Sequence, residues 1–172
     1  MVELMVAMAV ASVLMLGVLV LIDMMNTSVA QCQRDQSIGG DLAVAYEGIG
    51  WRVRKGIETA SRKFAVYSTY SSFRSSGSPV ADGAAGTCLV IPNTSPSDDA
   101  VIYSSGGALY VELVADANNK STLVSSGMTG LSFTAQRNGS PPARTGAILV
   151  SVSATNADGT VSFSSTMLPR DR

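Results

Sequence analysis

Hydrophobic and polar positions divide the chain into three regimes. From Leu4 to Ile22 runs Leu-Met-Val-Ala-Met-Ala-Val-Ala-Ser-Val-Leu-Met-Leu-Gly-Val-Leu-Val-Leu-Ile, without a single charge. At a rise of 1.5 Å per residue this predicts a helix of roughly 28 Å, close to the ~30 Å hydrocarbon core of a bilayer. A polar stretch from Asp23 to Gln36 follows, and then Gly39 and Gly40. Beyond them Leu42, Ala45, Tyr46, Ile49, Val53, Ile57, Ala60 and Phe64 recur at steps of three and four, with charged residues between. That period predicts an amphipathic helix over 41–64 with one stripe against a core. Asp41 is placed to cap it, which predicts a kink or short break at Gly39-Gly40. Gly48 and Gly50 weaken this segment without overturning its period.

Residues 71–86 (SSFRSSGSPVADGAAG) read as a loop by their Ser, Gly and Pro content. The period then changes to two. Thr87 to Ile91 and Ala100 to Tyr103 are short apolar runs separated by the turn-rich segment 92–99. Leu109, Val111 and Leu113 alternate with Tyr110 and Glu112. The same alternation recurs through Leu131–Gln136, Ile148–Ser153 and Val161–Met167. It predicts antiparallel strands with one buried and one wet face. Gly106-Gly107, Asn138-Gly139 with Pro141-Pro142, and Asn156 to Gly159 supply turns. The fold class is α+β: residues 1–36 form an apolar helix with a polar extension. Residues 37–172 form a head with an antiparallel sheet over 87–168, whose apolar face receives the stripe of the second helical segment.

The apolar run admits three readings. A cleaved signal peptide has a basic start, a shorter core and a small-residue cleavage site. Here no Lys or Arg precedes Arg34, and Asp23-Met24-Met25-Asn26 offers a poor site. A plain membrane anchor fits the length but gives Glu3, at the mouth of the run, no purpose. A helix that sits first in a membrane and later in a protein assembly explains both, because a partner there neutralises the carboxylate. Ala7, Ala9, Ala11, Ser12 and Gly17 would permit close helix approach, and are equally at home in any membrane helix.

The net charge of -1 and scattered basic residues argue against a broad nucleic-acid surface, with Arg52-Val-Arg54-Lys55 the one small patch. The absence of histidine removes the commonest metal ligand and general base. No nucleophile elbow, P-loop, dinucleotide fingerprint or zinc pattern occurs, so no enzyme, cofactor or metal is expected. Asp98-Asp99 and Asp116 to Asn119 suit turns better than a calcium loop. Trp51 and the tyrosines are expected between helix and sheet.

Met1-Val2-Glu3-Leu4-Met5-Val6-Ala7, followed by the long apolar helix, resembles the mature N-terminus of type IV pilins and type II secretion pseudopilins, entered two residues in. There the order is aromatic, Thr/Ser, Leu/Met, Val/Ile, Glu, Leu, and Glu3 matches the glutamate. The helix-then-sheet order is similar across the whole chain, and the C-terminal half is similar in style to J-type minor pseudopilins and related minor pilins. The resemblance implies a subunit held in the inner membrane, processed by a prepilin peptidase and built by inner-membrane machinery into a homo-oligomeric helical filament. The filament lies at the cell surface, or in the periplasm for a pseudopilin. It further implies that Glu3 pairs with a neighbouring N-terminal amine. Leu4, Val6, Ala7, Val10, Ala11, Leu14, Gly17, Val18, Leu21 and Ile22 would form the membrane and filament-core helix. Cys32 and Cys88 would lie in an exported head, where a bridge is permitted; it would contribute about 4 kcal/mol by loop entropy, and two free thiols are the alternative. Three functions stay open: a structural subunit of a type IV pilus-like filament, a minor pseudopilin of a type II secretion system, and a monomeric membrane-anchored binding module.

Overall fold

The computed structural model describes residues 2–59, 61–124, 127–138, 144–156 and 159–169, with backbone alone at 34, 138, 144, 156 and 159. The architecture is α+β, in keeping with a pilin-like fold. Helix α1 spans Val2–Lys55. Two compact units divide the chain, one of residues 1–37 and one of residues 38–172.

In the second unit, the last part of α1 packs on two antiparallel sheets. Strands β1 (Ala65–Tyr67), β3 (Cys88–Ile91), β4 (Ala100–Ser105), β5 (Ala108–Leu113) and β6 (Asp116–Val124) form a five-stranded sheet in the order β1-β3-β4-β5-β6. Strands β2 (Ala85–Gly86), β7 (Met128–Asn138), β8 (Arg144–Asn156) and β9 (Gly159–Met167) form a four-stranded sheet in the order β2-β7-β8-β9. Neighbouring strands join by short turns: Ser105 faces Ala108 across Gly106-Gly107, whose φ angles of 58° and 77° match the hairpin type that follows the strands' right-handed twist. Asn156 pairs with Gly159, as the expected hairpin requires; its residues 157–158, like the Pro141-Pro142 loop, lie outside the described residues.

The expected stripe does face the core. Leu42, Ala45, Ile49 and Val53 are buried in one cluster with Leu89, Ile102, Leu109 and Val111 of the first sheet and Phe133, Ile148, Val150 and Val152 of the second. Burial of these apolar side chains, at roughly 1.5–3 kcal/mol for each one larger than alanine, is the main force holding helix and sheets together. Gly48 and Gly50 do more than weaken the helix. A Cβ on them would stand 3.2 Å from the Leu123 side chain and 3.4 Å from Met167, so their absence lets the helix sit close to β6 and β9.

Four expectations on local structure are corrected. No break interrupts α1 at Gly39-Gly40: helical hydrogen bonding runs on, because the cost of two glycines, about 1 kcal/mol each, is small beside the core contacts that begin at Leu42. The helix stops at Lys55, well before Phe64, where Phe64 and Ile91 occupy the space beside Gly56. Ile57 then donates its N–H to Pro92 O at 2.8 Å, and Phe64 enters the core from the segment leading into β1; Ala60, on the expected stripe, is outside the described residues. The segment 71–86 is not all loop: helix α2 (Tyr70–Arg74) begins it, capped by the Thr69 hydroxyl accepting from Ser72 N, and β2 ends it. Residues 116–119 lie in β6 rather than in a turn.

Candidate functional site

The first unit is the candidate assembly element. Residues 2–33 of α1 are exposed on every side, from Val2 at 75% to Ile22 at 49%. Leu4, Val6, Ala7, Val10, Ala11, Leu14, Gly17, Val18, Leu21 and Ile22 all lie in this stretch. A helix apolar all round cannot stay in water; it needs lipid or the apolar helices of other chains. It is long and apolar enough to cross a membrane. Two of its hydroxyls are satisfied within the helix, Ser12 Oγ donating to Met8 O at 2.8 Å and Thr27 Oγ1 to Asp23 O at 3.0 Å, which for Ser12 suits an apolar medium.

Glu3 stands in the first turn, where the exposed N–H groups of the helix favour a carboxylate. Helical periodicity puts Glu3, Ala7, Val10, Leu14, Gly17 and Leu21 on one side, at alternating steps of four and three. The carboxylate therefore shares its stripe with the small residues Ala7 and Gly17. Among the described residues nothing lies within 4 Å of a Cβ built on Gly17, so the notch is open.

The other candidates fare differently. Of the two readings left open for the cysteines, the structure has free thiols: Cys32 is exposed on α1 and Cys88 buried in β3. Trp51 does not pack between helix and sheet; it is exposed, with Lys55 Nζ 3.9 Å from its ring centre. It stands two positions from both Ile49 and Val53, which puts it round the helix from the buried stripe. Asp99 does turn chemistry, accepting from Asn93 N at 2.7 Å and pairing with Arg62 Nη1 at 2.9 Å. Glu58, a charged residue within the expected helix 41–64, accepts backbone N–H bonds from Phe64 (3.1 Å) and Thr145 (3.0 Å), tying the segment after α1 to β8. Among the described residues no three of His, Cys, Asp or Glu gather as metal ligands.

A polar cluster absent from the expectations lies on the far side of the first sheet. Glu112, expected on a wet face, is 2% exposed. Its carboxylate pairs with Arg74 and accepts the hydroxyls of Tyr70 and, at 3.0 Å, Tyr103. Arg74 Nε also donates to the Tyr70 hydroxyl at 2.9 Å. The Tyr70 and Tyr103 rings stack with centres 3.7 Å apart. Beside them are Cys88, Val101, Phe73 and Tyr110 in a second small core. Burial, and then the neighbouring Glu112 charge, push the Cys88 thiol up to about 12, so it stays protonated and unreactive near neutrality. Tyr103 is raised likewise, by burial first and by its bond to Glu112 second. Arg74 and both tyrosine hydroxyls converge on Glu112, which makes the cluster a clamp seating α2 on the sheet. A signal for it was present: Tyr70, Phe73 and Arg74 at helical spacing inside a Ser-rich segment.

In comparisons with protein-family models, with curated proteins and with solved structures, the chain matches none.

Proposed function

We propose that the chain is a structural subunit of a type IV pilus-like filament, held in the inner membrane by the apolar half of α1 and then polymerised through it at the cell surface. The observation that carries this reading is the exposed apolar helix with one carboxylate in its first turn, on the same stripe as Ala7 and Gly17. A subunit leaves lipid for a helical bundle at little net apolar cost, since neighbouring helices replace acyl chains. Apolar packing alone sets no axial register. An unpaired Glu3 carboxylate inside the bundle costs several kcal/mol, so only the stagger that brings it to a cation of the next subunit is stable. In the families the chain resembles, that cation is the N-terminal amine created by the prepilin peptidase. The contact is heterologous and does not close, which yields a filament.

Replacing Glu3 with Ala tests the proposal. Sheared filaments, with the chain identified in them by mass spectrometry, are expected from cells making the parent chain. They should be lost with Glu3→Ala while the protein remains in the membrane fraction. Filaments that form equally well without the carboxylate would sink the register role. A parent chain that never leaves the membrane would favour the monomeric binding module.

A further inference from the structure

Past the last turn of α1, the helix-facing side of the first sheet opens into a cleft of about 350 Å³. That is within the usual size of small-molecule sites. Its floor is apolar, made by Ile91, Ala100, Val111 and Leu113 on three adjacent strands. Trp51, Arg52 and Lys55 form the helix wall, and Asn119 and Ser121 the wall on β6. Asp98 also lines the cleft, while the Glu112 carboxylate is already neutralised by Arg74, so two cations face one free carboxylate. Cations therefore prevail in the cleft.

Neither cation is ion-paired among the described residues. Arg52 is half-buried and spends one Nη on Gly48 O at 3.1 Å, leaving the rest of its fork free. Burial lowers its pKa, as expected for a guanidinium that has lost water without gaining a carboxylate. Lys55 rests on the face of Trp51. A partly desolvated Arg beside an apolar floor lacks an anion with an apolar body, which would satisfy both surfaces at once.

We propose that this cleft binds a small organic monocarboxylate, the carboxylate held by Arg52 and Lys55 and a flat apolar body laid on Val111 and Leu113 beside Trp51. The planar Arg fork matches a carboxylate in a way that a point charge does not. Asn119 and Ser121 would hydrogen-bond polar substituents on the ring.

Trp51 is the chain's single tryptophan, so its fluorescence reports on this cleft alone. The full chain, in non-ionic detergent, would be titrated with benzoate and with benzamide, which has the same ring and no charge. Benzoate is expected to change Trp51 emission saturably, and benzamide to bind about tenfold or more weaker. Arg52→Gln with Lys55→Gln should weaken benzoate by about tenfold or more. Should the double variant unfold, Lys55→Gln alone, at an exposed side chain, must still weaken it. Ser121→Phe, which fills the cleft and removes no charge, should abolish the response. A change that never saturates, equal binding of benzamide, or undiminished binding by the charge variants overturns the proposal.

Discussion

Glu112 owes its burial to the number of donors aimed at it. A carboxylate at 2% exposure, left alone, would cost several kcal/mol; an arginine and two tyrosine hydroxyls offset that. Around it, Cys88 and Tyr103 are both raised, and Tyr67 is raised too by burial and then by Cys88. The folded chain thus holds these protons more tightly than the unfolded chain. The stability they contribute is full below the ordinary values, 9.0 for the thiol and 10.0 for the phenols, and is lost as pH rises past them. The thermal midpoint is expected to fall as pH rises from about 9 to about 12. Tyr103→Phe keeps the stacked ring, so it should cost about 1 kcal/mol at neutral pH and flatten the alkaline fall. A variant whose midpoint falls as steeply as the parent's would remove Tyr103 from that account.

Among the elements, α1 shows how packing overrides local propensity. Gly40 lies within the helix with nothing within 4 Å of a Cβ, so its cost is purely conformational. Gly40→Ala is expected to stabilise the protein by roughly 0.5–1 kcal/mol. Gly56 is the opposite case, for a Cβ there would stand 2.5 Å from Phe64 Cζ and 2.8 Å from Ile91 Cγ2. Gly56→Ala should destabilise by about 1–3 kcal/mol, since two fully packed side chains must shift. Thermal unfolding of the two variants measures both, and the same sign for both would refute the argument. The β strands depend on similar close fits, as where Glu58 secures Thr145 N at 3.0 Å and so anchors the start of β8.

At the scale of the whole molecule, the two units need different surroundings. Residues 38–172 enclose a core between helix and sheets, whereas residues 2–33 bury nothing in the chain itself. The segment 38–172, made alone, is therefore expected to be a folded monomer in plain buffer. The full chain should need detergent, lipid or polymerisation to stay dispersed. Size-exclusion chromatography of both settles the matter. A full chain that runs as a monomer without detergent would mean that something other than membrane or assembly covers the helix, and the proposed function would lose its support.

Some of this was legible in the residue order alone. Period 3.6 through Leu42, Ala45, Ile49 and Val53, the apolar runs of β3 and β4, and period two through β5, β7, β8 and β9 identified the α+β class and the faces that meet, because those patterns state directly which side chains avoid water. The uncharged run from Leu4 to Ile22 with Glu3 before it likewise needs no fold to be read. Other features depended on partners distant in sequence. The helix ends at Lys55, and Ile57 turns its N–H to Pro92 O, a partner thirty-five residues on. Tyr70 and Arg74 form a clamp only because Glu112, some forty residues on, points at them. The cleft, too, exists only where α1 stops short of the sheet's apolar face. Periodicity records each residue's preference for water or core; which polar groups meet, and where space is left between elements, is set by packing in three dimensions.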